Sequence, residues 1–427
     1  MKPPVAPAEK PGPTASRIAE AASALTRVLG FEYPADAVLS RYFRERQALG
    51  QHDRAFVAET VFGVLRRKLL LDHIAPEATP RQLVLLWLAR VAGYSGRELG
   101  TLCSTEESQW LNATRAQSAM PLEVEADLPQ WVVKRLLQQH DEAFIRALGR
   151  ALQEPAPLDL RVNTLRGNRE TVLKTLNNNG ITAEPAPYSP VGIRIKGRPS
   201  LNRNPLFTGG VIEVQDEGSQ LLGYLLAPRR SDLVVDFCAG AGGKTLMLGA
   251  LMNSQGRVYA FDVSQKRLDR LKPRLKRSGL SNLHPLVIAH ENDTKVKRLA
   301  GKIDRVLVDA PCSGLGTLRR NPDLKFRQSP QSVAELTAKQ AAILKAAARL
   351  LKPGGRLVYA TCSLLAEENM QIVDGFLKEN GGFRALDCGD LLRRQGITID
   401  CGEQLQLWPH IHRTDGFFAA ALERIAD

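Results

Sequence analysis

From about residue 206 onward the sequence repeats one unit: an apolar run of four to six residues, a turn, and a stretch of helical periodicity. The runs occupy residues 233–237, 258–262, 286–289, 305–309 and 357–361, with a late one at 417–422. Strands apolar on both faces that alternate with helices predict a parallel sheet covered on both sides. Residues 206–427 are therefore expected to form a doubly wound, Rossmann-like α/β domain. Residues 16–152 read differently. Ile18, Leu25 and Val28 recur at helical spacing, as do Phe56, Thr60, Val64 and Leu69, and 83–88 reads as a buried helix, so this part is expected to be all-α. Between the two, 158–163 and 192–195 have strand character around a helical 173–176, which predicts a small α+β connector over 155–205. Residues 1–15 hold five prolines and few large apolar side chains, and a disordered tail is expected there.

Lys plus Arg number 58 against 45 Asp plus Glu, a net charge of +13 on 427 residues that are 44% hydrophobic. That balance excludes a disordered chain and points to a polyanionic partner, nucleic acid before an anionic membrane. No apolar run approaches the ~18–20 residues of a membrane helix. The N-terminus lacks the apolar core of a signal peptide, so a cytoplasmic location is expected; the protein is also expected to act as a monomer. Six cysteines include no C-x-x-C pair, which argues against a metal site or a disulfide framework and leaves each to be read as a thiol.

The turn Asp236-Phe237-Cys238-Ala239-Gly240-Ala241-Gly242-Gly243-Lys244-Thr245 joins a strand to a helix through a glycine cluster, bringing backbone N–H groups close to a ligand. Gly243-Lys244-Thr245 fits the end of a phosphate-binding P-loop, and Asp309 resembles the strand-end aspartate that holds magnesium there. Cys238, however, stands where the first P-loop glycine belongs, and Thr245 breaks the dinucleotide fingerprint. Asp262 ends the next strand twenty positions after Gly242, where an acid can bond a ribose diol. S-adenosylmethionine offers that diol without phosphates. Two further strands deliver cysteines to the same sheet edge: Cys312 in Asp309-Ala310-Pro311-Cys312-Ser313-Gly314, and Cys362 in Tyr359-Ala360-Thr361-Cys362-Ser363. Thiolate chemistry needs a positive setting, which Arg319, Arg320, Lys325 and Arg327 are placed in sequence to supply, a solvated basic face being the equal alternative for them.

These blocks, with Glu367-Glu368-Asn369, the segment 214–220 and Asp415-Gly416-Phe417-Phe418, resemble the RNA cytosine-C5 methyltransferases of the Sun/Fmu (RsmB-like) branch. The helical part is similar in pattern to that branch's NusB-like RNA-binding domain. The resemblance implies S-adenosylmethionine-dependent methylation of cytosine C5 in RNA, small-subunit rRNA in this branch. It implies Cys362 as the nucleophile at C6, Cys312 as the group that assists product release, and Asp309 on the base edge. It also implies cofactor contacts from Cys238, Ala239, Gly240, Ala241, Gly242, Gly243, Lys244, Asp262, Arg267, Asp293 and Asp309. One departure stands out: Gly240-Ala241 replaces the branch's Ala-Pro pair, which frees the loop and is expected to alter cofactor affinity.

Seven cations fall within 266–277, opposed only by Asp269. Together with the net charge they make a phosphate-binding surface the better reading of that helix. Candidate RNA contacts are Lys272, Arg274 and Lys276 there, the cluster Arg66-Arg67-Lys68, and Arg319 and Arg320. Three rival readings stay open at this point. They are an NTPase, a non-catalytic RNA-binding or assembly protein on the same fold, and a DNA cytosine methyltransferase, whose nucleophile is the Pro-Cys thiol.

Overall fold

The computed structural model describes residues 12–114, 120–197 and 199–426. Residues 1–11 of the expected tail lie outside them. Thr14 already caps the first helix, Ala15–Val28, by accepting the Arg17 N–H at 3.2 Å. The chain forms two compact units, one from the residues up to 155 together with 317–330, the other from 156–316 and 331–427.

The first unit is helical. Ile18 and Leu25 of the first helix, Val57, Val61 and Val64 of Gln51–Arg66, and Leu83–Leu88 of Pro80–Arg90 close one apolar core. Sequence periodicity does not foresee that the segment 317–330, which interrupts the α/β half, completes this unit. Lys325, 4% exposed, donates to the Asp127 carboxylate at 2.7 Å and to the Asp127 and Arg66 carbonyls at 2.8 and 3.1 Å. Asp323 accepts the Ala35 N–H, and Phe326 packs on Phe31.

The second unit holds two sheets. Strands β1 (Leu158–Val162), β2 (Ala183–Pro185), β3 (Gly192–Ile195) and β4 (Ile212–Val214) form an antiparallel sheet in the order β2-β3-β1-β4. Val172 and Leu176 of helix Arg169–Asn178 pack into its core. The larger sheet comprises β5 (Leu233–Asp236), β6 (Arg257–Asp262), β7 (Leu283–Val287), β8 (Ile303–Asp309), β9 (Leu351–Thr361), β10 (Phe383–Leu386), β11 (Gln404–Leu407) and β12 (Phe417–Arg424). Its order is β10-β12-β9-β8-β5-β6-β7, with β11 on β12. Adjacent residues serve opposite faces: Val234 joins one apolar core and Val235 the other. That is why the strands read as continuous apolar runs.

β5 to β9 are parallel, as expected, but the late run at β12 is antiparallel to β9, with Phe418 opposite Thr361. Burial on both faces writes the same apolar run whichever way a strand points, so the pattern carries no sign of the reversal.

Candidate active site

β6 lies on one side of β5 and β8 on the other, so the carboxyl ends of β5 and β8 open the crevice where doubly wound sheets bind ligands. Asp236 ends β5 and Asp309 ends β8. The intervening turn is fastened by Ala239 N–H to the Phe261 carbonyl (2.8 Å) and Gly242 N–H to the Ala239 carbonyl (2.9 Å). Gly240 and Gly242 take φ of +57° and +81°. A Cβ on Gly242 would also lie 2.2 Å from the Leu271 side chain, so the helix Gly243–Leu251 can start there only from glycine. Arg274 donates to the Ala241 carbonyl at 2.6 Å while pairing with Glu213 at 3.0 Å, which anchors the loop from outside.

A cavity of about 570 Å³ opens at this edge, in the size range of small-molecule sites. On one wall stand the turn, Asp262, Val263 and Arg267, and on another Ile288, Ala289, His290 and Glu291. The buried Asp262 carboxylate accepts Gly240 N–H at 2.8 Å and Ser264 N–H at 2.7 Å, with the Arg267 guanidinium at 3.1 Å. Asp236 is fully enclosed. One of its oxygens accepts the Thr245 hydroxyl at 2.6 Å, and the other, Oδ1, is buried with no hydrogen-bond partner. Burial, with Asp309 and Asp262 nearby, pushes its carboxyl up to about 7.

The other end of the cavity is reactive in character. Lys244 Nζ sits 2.7 Å from Asp309 Oδ2 and 5.6 Å from the Phe417 ring centroid. Burial acts to lower the lysine's pKa, but Asp309 outweighs it and holds the ammonium above its ordinary value. Cys312 and Cys362 line the same space with their sulfurs 3.4 Å apart. The Cys312 thiol is pushed well up, first by its hydrogen bond to Cys362 and then by burial. The two thiols therefore share one hydrogen bond inside the cavity.

The two cysteine loops are tied by one buried carboxylate. Glu368 Oε1 accepts Ser313 N–H (2.8 Å) and the Gln340 amide (3.0 Å), while Oε2 accepts the Ser313 hydroxyl (2.5 Å) and the Ser363 hydroxyl. Gly316 N–H bonds the Cys362 carbonyl at 2.9 Å, and Gln340 also holds the Pro311 carbonyl at 2.9 Å. Sequence reasoning missed this clamp. Glu367-Glu368 shows two adjacent acids, and only the turn Ala366–Glu368 decides which is buried.

The structure gathers Cys238, Ala239, Gly240, Ala241, Gly243, Lys244, Asp262, Arg267, Asp309, Cys312 and Cys362 on this one cavity, with Gly242 capping the helix behind it. Asp293 does not reach the wall. Its carboxylate accepts Ala289 N–H and Lys295 N–H, both at 2.8 Å, and so shapes the Ala289–Glu291 stretch indirectly. The candidate RNA contacts fare worse. Arg66 and Arg319 are buried, and the Arg66 guanidinium donates to the Arg319 carbonyl at 3.2 Å. Arg67 lies 3.9 Å from Asp127 and bonds Gln153, Lys68 pairs with Asp72 at 2.7 Å, and Arg320 is half-buried. Arg274 and Arg277 turn inward onto Glu213, whereas Lys272 and Lys276 stay exposed. A basic run at helical spacing always has an inward-facing side, and here Glu213 takes it. Of the cations after Cys312, Arg319 and Lys325 are buried within the helical unit, where Lys325 pairs with Asp127.

A family model described as 16S rRNA methyltransferase RsmB/F matches residues 223–423, and one for the ferredoxin-like domain of RsmF/B-like methyltransferases matches residues 128–202. A protein of Synechocystis sp. named "Probable ribosomal RNA small subunit methyltransferase B" is 32% identical over 421 residues, 89% of this chain and 93% of its own. Ribosomal RNA small subunit methyltransferase B of Photorhabdus laumondii is 34% identical over 297 residues, 69% of this chain and 66% of its own. A methyltransferase homolog protein of Pyrococcus horikoshii, solved by crystallography, is 27% identical and aligns with 70% of this chain and 100% of its own at a TM-score of 0.57.

Proposed function

The chain belongs to the RsmB/F family of 16S rRNA methyltransferases, and on that premise we propose that it methylates C5 of a cytosine in small-subunit rRNA through a covalent bond from Cys362 to C6. The observation that carries this reading is the pair of thiols, 3.4 Å apart, lining the same cavity as Asp262. The residues present suit S-adenosylmethionine. Asp262 offers a carboxylate to a ribose diol, and Ile288 and Val263 offer apolar surface to an adenine. When bound, the cofactor supplies an electrophilic methyl group.

The chain's residues do the rest. The Cys362 thiolate adds to C6, N3 takes up a proton from solvent, and C5 becomes the nucleophilic carbon of an enamine. Asp309, oriented by Lys244, accepts from the N4–H and protonated N3 edge of the base. After transfer C5 gives its proton to water, and the re-formed enamine expels Cys362 as a thiolate with the S–C6 electron pair. N3 returns its proton to solvent, and the thiol of Cys312 serves this release by hydrogen-bonding the departing sulfur. A base must leave its stack to reach such a cavity, which favours structured RNA with an accessible cytosine. Phosphate contacts are assigned to the exposed Lys266, Arg270, Lys272 and Lys276 of helix Gln265–Ser278 and to a NusB-like role of the helical unit. Action as a monomer in the cytoplasm is part of this reading, and the six free thiols suit that compartment. Family membership sets aside the NTPase reading.

Incubation with labelled S-adenosylmethionine and unmethylated small-subunit rRNA tests the proposal directly. Label on C5 of one cytosine is expected. Label on any other atom, or on DNA in preference to RNA, would contradict it.

A further inference from the structure

At the amino ends of the same strands, on the edge of the sheet away from Asp309 and Cys362, a second pocket of about 340 Å³ collects four arginines. Arg229 and Arg394 line it from exposed loops, and Arg305 of β8 and Arg356 of β9 from the sheet itself; no carboxylate is among its lining residues. Arg305 and Arg356 are direct register partners on adjacent strands, a position where like charges destabilise a sheet. The acids packed nearby are each hydrogen-bonded to other groups. Asp232 lies 3.9 Å from Arg305 Nε, beyond hydrogen-bond distance, and already accepts the Arg229 backbone N–H. Glu423, opposite Arg356 across β12, bonds Arg384, and Asp304 bonds Lys352 and the Leu233 N–H. Arg305 Nε is buried with no hydrogen-bond partner.

Both sheet guanidiniums are nevertheless held in place, Arg356 by the Leu225 carbonyl and Arg305 by the Asp304 carbonyl, each at 3.0 Å. Burial, then the repulsion from Arg305, pushes Arg356 down to about 10.

We propose that this pocket is a binding site for a phosphate-class oxyanion, gripped by the Arg305 and Arg356 forks and closed by Arg229 and Arg394. Planar guanidiniums suit tetrahedral oxyanions because each presents two parallel N–H donors. A backbone phosphate of substrate RNA and a free small phosphate share this chemistry. The RNA source rests on the RNA-methyltransferase reading; the small-anion source does not, so the two can fail separately.

The test uses the full chain and two variants, R229Q/R394Q at exposed positions and R305Q/R356Q within the sheet. Thermal unfolding and calorimetry are run with phosphate and pyrophosphate against chloride at matched ionic strength, followed by salt titrations of binding to a small-subunit rRNA fragment. The wild type is expected to show saturable stabilisation by pyrophosphate that chloride does not give. In R229Q/R394Q the affinity is expected to fall about tenfold or more, one lost charge-assisted bond sufficing for that. R305Q/R356Q is expected to lose the response while its ligand-free form melts no lower than wild type; should it fail to fold, the exposed pair decides alone. A salt slope for RNA that flattens by about 0.7–0.9 per lost phosphate contact assigns the site to RNA. A changed small-anion response with an unchanged RNA slope assigns it to a free phosphate. If wild type treats phosphate, pyrophosphate and chloride alike and the RNA slope is the same in all three proteins, the proposal is overturned.

Discussion

Asp236 shows how one side chain links the fold to the cofactor cavity. It closes β5, receives the Thr245 hydroxyl that starts the next helix, and leaves one oxygen buried and unpartnered. Its carboxyl, pushed up to about 7 chiefly by burial, keeps a proton that the unfolded chain gives up near pH 4. It therefore contributes stability that is present below about pH 4 and lost as pH rises through about 7. Urea unfolding of the ligand-free protein between pH 4.5 and 8 is expected to show wild type losing ground to Asp236→Asn as pH increases. Parallel pH profiles for the two proteins would mean that Asp236 is not held protonated. The turn around this residue was legible in the sequence because its chemistry lies within ten consecutive positions. Asp262 was legible too, since a strand of fixed rise sets its distance from the turn. Asp293 misled because an aspartate that caps a short helix and one that faces a ligand look the same in sequence.

At the scale of elements, the site is two strand-end loops held in register by Glu368. Its four acceptances span Ser313, Gln340 and Ser363, up to 55 positions from the carboxylate. No local pattern can announce such a contact, which is why the loops were readable and their clamp was not. Removing the carboxylate strands buried donors on both loops. Glu368→Ala is expected to lower stability by about 3 kcal/mol, with hydrogen bonds to a charged group worth about 1.5–3 kcal/mol each and not additive. It is also expected to reduce kcat by at least tenfold while leaving S-adenosylmethionine affinity within about twofold, because the Asp236–Lys244 turn is fastened separately. Calorimetry showing cofactor affinity falling as far as kcat would contradict a role confined to the cysteine loops. Strand direction was the other thing hidden at this scale: β12 reads like its parallel neighbours and runs against them.

For the whole molecule, the change from helical to α/β periodicity near residue 155 falls where the two units divide. The stretch read as a separate connector over 155–205 lies within the second unit, and its sheet takes in β4 beyond it. The excursion of 317–330 into the helical unit could not be read from periodicity, because it depends on pairs such as Asp127 and Lys325, 198 positions apart. That ion pair is almost fully buried, with side-chain exposures of 1% and 3%. Removing one charge of such a pair leaves the other without compensation in a poorly solvating interior. Asp127→Asn, which suits the left-handed backbone at this position (φ +55°), is expected to cost about 3 kcal/mol in urea unfolding of the full chain. Adding Lys325→Met should restore most of that loss, whereas additive losses would show that the two side chains act independently. The same burial explains why Arg66 and Arg319, which read as RNA contacts in a strongly cationic chain, are structural.

The central claim is that Cys362 attacks the base and Cys312 serves release, and trapping on a denaturing gel tests it most directly. The two sulfurs lie 3.4 Å apart, close enough to share one proton, and that contact together with burial holds the Cys312 thiol well up. A nucleophile is needed before the adduct exists and a release group only afterwards. With S-adenosylmethionine and small-subunit rRNA, Cys312→Ala is therefore expected to accumulate a slowly migrating protein–RNA band that ribonuclease removes, and Cys362→Ala to give neither band nor methylation. The reverse pattern, with Cys312→Ala inert and adduct-free and Cys362→Ala still methylating, would contradict the account.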